Sequence, residues 1–105
     1  MKKLTLLFTA YILAFPAGSA FAGTVIRDAC LRAGRAANPE MCSCIQQVAD
    51  QRLARKDQKL AATFFRDPHK AQVIRQSDRH AHEVFWTKYK QFGAAASDSC
   101  APYSG

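Results

Sequence analysis

The sequence is poor in the motifs that usually mark an enzyme. Only two glutamates are present, Glu40 and Glu83, so a paired-carboxylate hydrolase has few candidate residues. No serine stands in a nucleophile-elbow pattern, and no glycine-rich loop is suited to cradle a phosphate. The chain also lacks Cys-x-x-Cys and Cys-x-x-Cys-His, which argues against a thioredoxin-type oxidoreductase and excludes covalent haem attachment. We therefore expect a protein that is not an enzyme and uses no cofactor.

No apolar run of about 20 residues follows residue 22, so we expect no transmembrane segment in the mature chain. The first 22 residues instead have the pattern of a cleavable signal peptide. Lys2 and Lys3 precede an apolar stretch over residues 4–15, and residues 16–22 end in the small-x-small pattern that precedes cleavage. Cleavage after residue 22 would leave 83 of the 105 residues and lower the net charge from +7 to +5. This predicts export to the periplasm and a single helical domain over residues 23–105.

No stretch alternates polar and apolar residues as a half-buried strand would, and helical spacing predominates. We predict an all-α fold, a small disulfide-stapled bundle of four to five helices. The first helix is expected over residues 24–37, with Thr24 as a possible N-cap. The sequence Asn38-Pro39-Glu40 is a strong start signal for a second helix, which should run to about Arg55.

The second half of the chain contains further boundary signals. Asp57 is a possible cap for a third helix, and Asp67-Pro68 should end that helix and begin a fourth. Ser77-Asp78 caps the last helix, unless that helix continues from the fourth, and Gly93 is placed to end it. The tail over residues 94–105 should be irregular. The last helix is predicted to bury a stripe formed by Ala81, Phe85, Tyr89 and Phe92.

The four cysteines all follow residue 22, and an even count in a short exported chain predicts two disulfides. A Cys42–Cys44 bridge would close a strained ring and is the least favoured. Cys42 and Cys44 lie about 200° apart on a helix, so they should reach different partners. A hairpin centred near Asn38 places Cys30 opposite residues 42–46. We favour Cys30–Cys44 with Cys42–Cys100. The remaining connectivity, Cys30–Cys42 with Cys44–Cys100, stays open.

Two other uses of these residues are alternatives to structural disulfides. Cys42 and Cys44 would serve a small redox protein, or a copper thiolate site helped by Met41. The histidines do not form an obvious metal site, because His80 and His82 also lie about 200° apart on a helix. We therefore expect no metal site.

Positive charge is concentrated in the second half of the chain, where ten Lys and Arg between residues 52 and 90 face four acids. In an exported protein we expect no nucleic-acid partner, and an envelope protein or an anionic envelope surface is more plausible. Aromatic residues among these charges suggest an exposed contact, with a solvated cationic face and a half-buried Trp86 as the alternative. The candidate binding residues are Arg66, Lys70, Arg75, Arg79, His82, Trp86 and Lys88.

Three segments resemble a family of short exported bacterial proteins that often carry the label "arginine transporter". They are residues 42–47 (CSCIQQ), 64–79 (FFRDPHKAQVIRQSDR) and 85–93 (FWxxYKxFG). The resemblance extends to the cysteine placement, and it implies an accessory or binding component for arginine transport. At the level of fold class the chain is also similar to periplasmic acid-stress chaperones and to disulfide-bonded immunity proteins.

Overall fold

The computed structural model describes residues 23–34 and 38–104, and within them every regular element is helical. The predicted all-α bundle is therefore confirmed for this part of the chain. The predicted signal peptide over residues 1–22 lies outside the described residues. The elements are α1 (Val25–Ala33), α2 (Pro39–Arg52), α3 (Arg55–Arg66), α4 (Pro68–Arg75), α5 (His80–Cys100) and a short 3₁₀ helix (Ala101–Tyr103).

Local backbone and side-chain chemistry explains the C-terminal end of α1 and both ends of α2. Gly34 ends α1 in the left-handed conformation, at φ 74°, which residues with a Cβ rarely adopt. The predicted first helix was therefore too long at its C-terminal end, and residues 35–37 lie outside the described part. At the start of α2, the Asn38 side chain accepts a hydrogen bond from the Met41 backbone N–H at 2.7 Å, as predicted. That helix ends at Arg52, before the predicted Arg55, because Leu53 is extended and buried.

Two predicted caps of the later helices were wrong, whereas the break at Pro68 is confirmed. Asp57 does not cap α3: Ala54 occupies the cap position, and Asp57 lies buried in the first turn. Arg79, not Ser77-Asp78, occupies the cap position of α5, which is separate from α4.

The predicted end of the last helix at Gly93 was also wrong, because α5 continues to Cys100. Three alanines follow Gly93, and their high helix propensity exceeds the cost of one glycine, about 1 kcal/mol. The tail is therefore helical where an irregular segment was predicted. Of the predicted stripe, Phe85 and Phe92 are buried and Tyr89 is half-buried, but Ala81 is exposed.

The hydrophobic core lies where α1, α2, α3 and α5 meet, with α4 packed on α3 and α5. Aromatic side chains of α3 and α5 fill one end of it. The Phe64 ring meets Tyr89 edge-on at a centroid distance of 5.1 Å and Phe85 edge-on at 6.0 Å. Edge-to-face contacts of this kind add stability beyond the burial of apolar area. Burial also raises the pKa of the Tyr89 hydroxyl above its usual value of 10.0.

Two disulfides staple the bundle, but their pairing differs from the favoured prediction. Cys30 bonds to Cys42 and Cys44 bonds to Cys100, with Cα–Cα distances of 5.6 and 5.7 Å. Because α1 ends at residue 33 and α2 begins at residue 39, the hairpin is centred near residue 36, which sets Cys30 opposite Cys42. The expectation that Cys42 and Cys44 reach different partners is confirmed.

The two bridges close loops of different length and together contribute substantially to stability. Their sequence separations are 12 and 56 residues. In the chain-entropy model these loops correspond to about 3 and about 4 kcal/mol. Disulfides of this kind are typical of proteins that fold in an oxidising, exported environment.

A buried glutamine joins the first three helices. The Gln46 side-chain oxygen accepts hydrogen bonds from the backbone N–H groups of Ile26 and Arg27, at 2.8 and 2.9 Å. It therefore caps the N-terminus of α1, where Thr24 makes no side-chain cap bond to the backbone. The Gln46 amide donates to Asp50 at 2.8 Å and to the Gln58 carbonyl oxygen at 2.9 Å. One side chain thus satisfies polar groups of α1, α2 and α3.

Within residues 23–34 and 38–104, no helix combines the length and the apolar character needed to cross a bilayer.

Candidate binding surface

The predicted binding residues are distributed over three helices and the corner between α4 and α5. Arg66 ends α3, Lys70 and Arg75 lie on α4, and Arg79 precedes α5. These four exposed side chains lie between residues 66 and 79, and we call this set the basic face, although Lys70 and Arg75 lie about 140° apart on α4. The remaining three predicted residues are on α5: His82, Trp86 and Lys88.

Trp86 and Lys88 do not form one shared patch, because they lie about 200° apart on α5. Lys88 Nζ is 3.7 Å from Asp57 Oδ2, which ties this lysine to α3. Trp86 is half-buried and belongs to the aromatic cluster, with ring centroids 6.4 Å from Phe64 and 5.1 Å from Tyr89. The structure therefore places Trp86 at the edge of the core and away from the paired Lys88.

His82 stabilises the corner between α4 and α5. Its Nδ1 lies 2.7 Å from the Ser77 hydroxyl, which also accepts a hydrogen bond from the Arg79 backbone N–H at 3.1 Å. These two contacts hold the backbone of Arg79 in the turn between α4 and α5. Of the basic face, His82 therefore supports only Arg79, through Ser77.

The cations of the basic face have no carboxylate partner. Among residues 23–34 and 38–104 the single ion pair is the one between Lys88 and Asp57. Asp67 and Asp78 lie within the same stretch of sequence, which leaves the four basic residues with an excess charge of +2. Unpaired exposed cations create a positive potential that attracts anionic partners, and salt screens it.

A second cationic feature was not predicted: a groove of about 450 Å³ between α1 and α3. Arg32, Lys59 and Arg66 line it, above a floor that includes Ala29 and Ala62. The sequence contains part of the signal, because Lys59 and Arg66 lie within about 20° of each other on the α3 helical wheel. The contribution of Arg32 depends on how α1 packs against α3, which periodicity does not indicate. We call this feature the α1–α3 groove.

Another groove, of about 560 Å³, runs along α2 beside the Cys44–Cys100 bridge. Its lining is polar and includes Ser43, Gln47 and one carboxylate, that of Glu40. A site for the arginine guanidinium and amino groups would normally present more than one acid.

The cysteines have no thiolate to offer a metal or a redox partner. All four are in disulfides, so the copper thiolate alternative has no ligand in this state. Among the described residues no three His, Cys, Asp or Glu side chains are grouped as metal ligands would be.

No protein-family model, curated protein or solved structure matches the chain in the comparisons with known proteins. Function is therefore argued from the residues described above.

Proposed function

We propose that the protein is a non-enzymatic periplasmic binding protein, stapled by two disulfides, that contacts an anionic envelope component through the basic face. The observation that carries this proposal is a set of four exposed cations without a carboxylate partner among the described residues: Arg66, Lys70, Arg75 and Arg79. Four exposed cations within fourteen residues, opposed in that stretch by two acids, are suited to contact an acidic protein surface or an anionic lipid.

Crosslinking in cells tests this proposal. The exported wild type is compared with the double variant Lys70→Glu/Arg75→Glu, and the captured molecules are identified. Both side chains are exposed. An acid suits the helix dipole at Lys70, in the first turn of α4, but not at Arg75, in the last turn, so circular dichroism checks that the variant folds. We expect reversal of the two charges to remove the main crosslinked species.

The matched control is the double variant Lys56→Glu/Lys90→Glu, which reverses the same number of charges at exposed positions outside the basic face. It should leave the crosslinked species unchanged. The same captured molecules from the Lys70→Glu/Arg75→Glu variant and the wild type would overturn the proposal.

An accessory role in arginine binding is a second candidate, supported by the resemblance to exported proteins with the transporter label. The polar groove near Glu40 is the surface that would hold the ligand. In a thermal-shift titration, arginine should raise the unfolding midpoint of the wild type and should not raise that of Glu40→Gln. An unchanged wild-type midpoint at millimolar arginine would remove this candidate.

A redox role for Cys42 and Cys44 is a third candidate, because Cys44, in the bridge to Cys100, is only half-buried. It requires thiol–disulfide exchange with a substrate protein. Trapping of a mixed disulfide by Cys100→Ser in cells would support it, and the absence of any mixed disulfide would exclude it.

A further inference from the structure

The α1–α3 groove combines positive charge with an apolar floor. Arg32, Lys59 and Arg66 are exposed at its edges, and none lies in an ion pair within the described residues. One acid lines the groove, Asp28, and its carboxylate accepts a hydrogen bond from the Thr24 hydroxyl at 2.9 Å. Three cations and one carboxylate give the groove a formal charge of +2.

The floor of the groove is formed by small apolar side chains. Ala29 and Ala62 are 8 and 7% exposed, and Val25 lies beside them. Long cationic side chains along the rim keep their charged ends in water while their methylene groups extend the apolar surface. A ligand that fits this arrangement therefore has a compact anionic group next to an apolar part.

The cationic rim continues along α3 beyond the groove. Arg55 lies within about 40° of Lys59 and within about 20° of Arg66 on the helical wheel, and all three are exposed. This row extends about 16 Å along the helix. A linear array of this kind faces many phosphates at once when it lies flat on a charged surface. One small free anion would contact only part of a row of this length.

We propose that the α1–α3 groove docks the protein on a membrane surface by binding the phosphate headgroup of an anionic phospholipid. This inference goes beyond the proposed function, because the groove shares only Arg66 with the basic face. Arg32 and Arg66 would bind phosphate oxygens through their guanidinium groups, and Lys59 would act as a point charge. The apolar floor would contact the glycerol and the first methylenes of the lipid, because the open groove of about 450 Å³ is too small to enclose two acyl chains.

Vesicle co-sedimentation of the mature, oxidised protein tests the inference. Vesicles of phosphatidylcholine with phosphatidylglycerol are compared with vesicles of phosphatidylcholine alone. The test variant is Arg32→Gln/Lys59→Gln, which leaves every residue of the basic face in place. Each cation near an anionic surface changes binding about fivefold, so we expect the double variant to bind the anionic vesicles about 25-fold more weakly.

The matched control is Lys56→Gln/Lys90→Gln, which removes the same charge from exposed positions outside the groove. It should retain most of the binding. Both variants change only exposed side chains, and circular dichroism checks that they fold. Equal losses in the two variants, or no preference of the wild type for anionic vesicles, would overturn the inference. So would complete displacement of the protein from the vesicles by millimolar inorganic phosphate at constant ionic strength, since that would indicate a site for the free anion.

A failure of the lipid inference can be distinguished from a failure of the proposed function. If the wild type does not bind vesicles but crosslinking still captures a protein that depends on Lys70 and Arg75, only the lipid inference fails.

Discussion

Replacement of Gln46 by leucine should destabilise the bundle more than any other polar-to-apolar change of similar size. The Gln46 side chain is 5% exposed and makes four hydrogen bonds, two of them to the N-terminus of α1. Gln46→Leu would keep the side-chain volume while leaving the backbone N–H groups of Ile26 and Arg27 without acceptors. Loss of a helix cap costs about 1 kcal/mol, and each buried unsatisfied group costs about 1–3 kcal/mol.

The expected total for Gln46→Leu is about 3 kcal/mol. In a domain of this size, that corresponds to a fall of roughly 12–24 °C in the unfolding midpoint. The assay is thermal unfolding of the oxidised mature protein, followed by far-ultraviolet circular dichroism. The control is Gln47→Leu, because Gln47 is the adjacent glutamine and its side chain is exposed. A midpoint for Gln46→Leu equal to that of Gln47→Leu would refute the argument that this side chain joins three helices.

Three further predictions concern the disulfides, the glycines and one tyrosine. The bridge at Cys44 should be reduced before the bridge at Cys42, because Cys44 is half-buried and Cys42 is 0% exposed. Alkylation and peptide mapping after mild reduction would show the order of reduction, and the reverse order would contradict this prediction. Gly34→Ala should lower the free energy of unfolding by about 1 kcal/mol, because φ at this position is 74°. Gly93→Ala should raise the free energy of unfolding by about 0.4–1 kcal/mol, because Gly93 lies within a helix and a Cβ there meets open space. Urea unfolding measures both changes, and changes of equal sign would contradict the account. Burial raises the pKa of Tyr89, so the folded state favours the neutral phenol. The stability that Tyr89 contributes is therefore complete below pH 10.0 and is lost as the pH rises through the folded-state pKa. Tyr89→Phe should flatten this loss of stability with pH, and an unchanged slope would be inconsistent with the buried hydroxyl.

The features that could be predicted from the sequence are those set by local chemistry. Asn38 and Pro39 start α2 because an amide side chain caps a helix and proline suits its first position, whatever the rest of the fold does. Pro68 starts α4 because proline suits the first helical position, although Asp67 before it makes no side-chain cap hydrogen bond. The absence of alternating strands and the even cysteine count were enough to predict an all-α, disulfide-stapled bundle.

The features that were missed depend on how the helices meet. The disulfide pairing turned on the centre of one hairpin, and a shift of about two residues exchanged the partners of Cys42 and Cys44. The length of α5 depended on the bridge to Cys100 and on alanines that outweigh Gly93. Gln46 looks like an ordinary polar residue in the sequence, and its role depends on backbone groups twenty residues earlier.

The candidate site follows the same division. The positive charge of the second half was evident from composition, but the grouping of its residues was not. The corner formed by Ser77 and His82, and the pairing of Lys88 with Asp57, separate the predicted residues into an exposed basic face and a set that supports the fold. Arg32 joins Lys59 only because α1 packs on α3.

The most direct test of the central claim is site-specific photocrosslinking in cells, with the probe at position 70 of the basic face or at position 91 on the outer side of α5. Both positions are exposed, so probe access is matched. The account predicts that the probe at Lys70 captures an anionic envelope component and that the probe at Gln91 does not. Equal capture from the two positions, or capture only from Gln91, would contradict it.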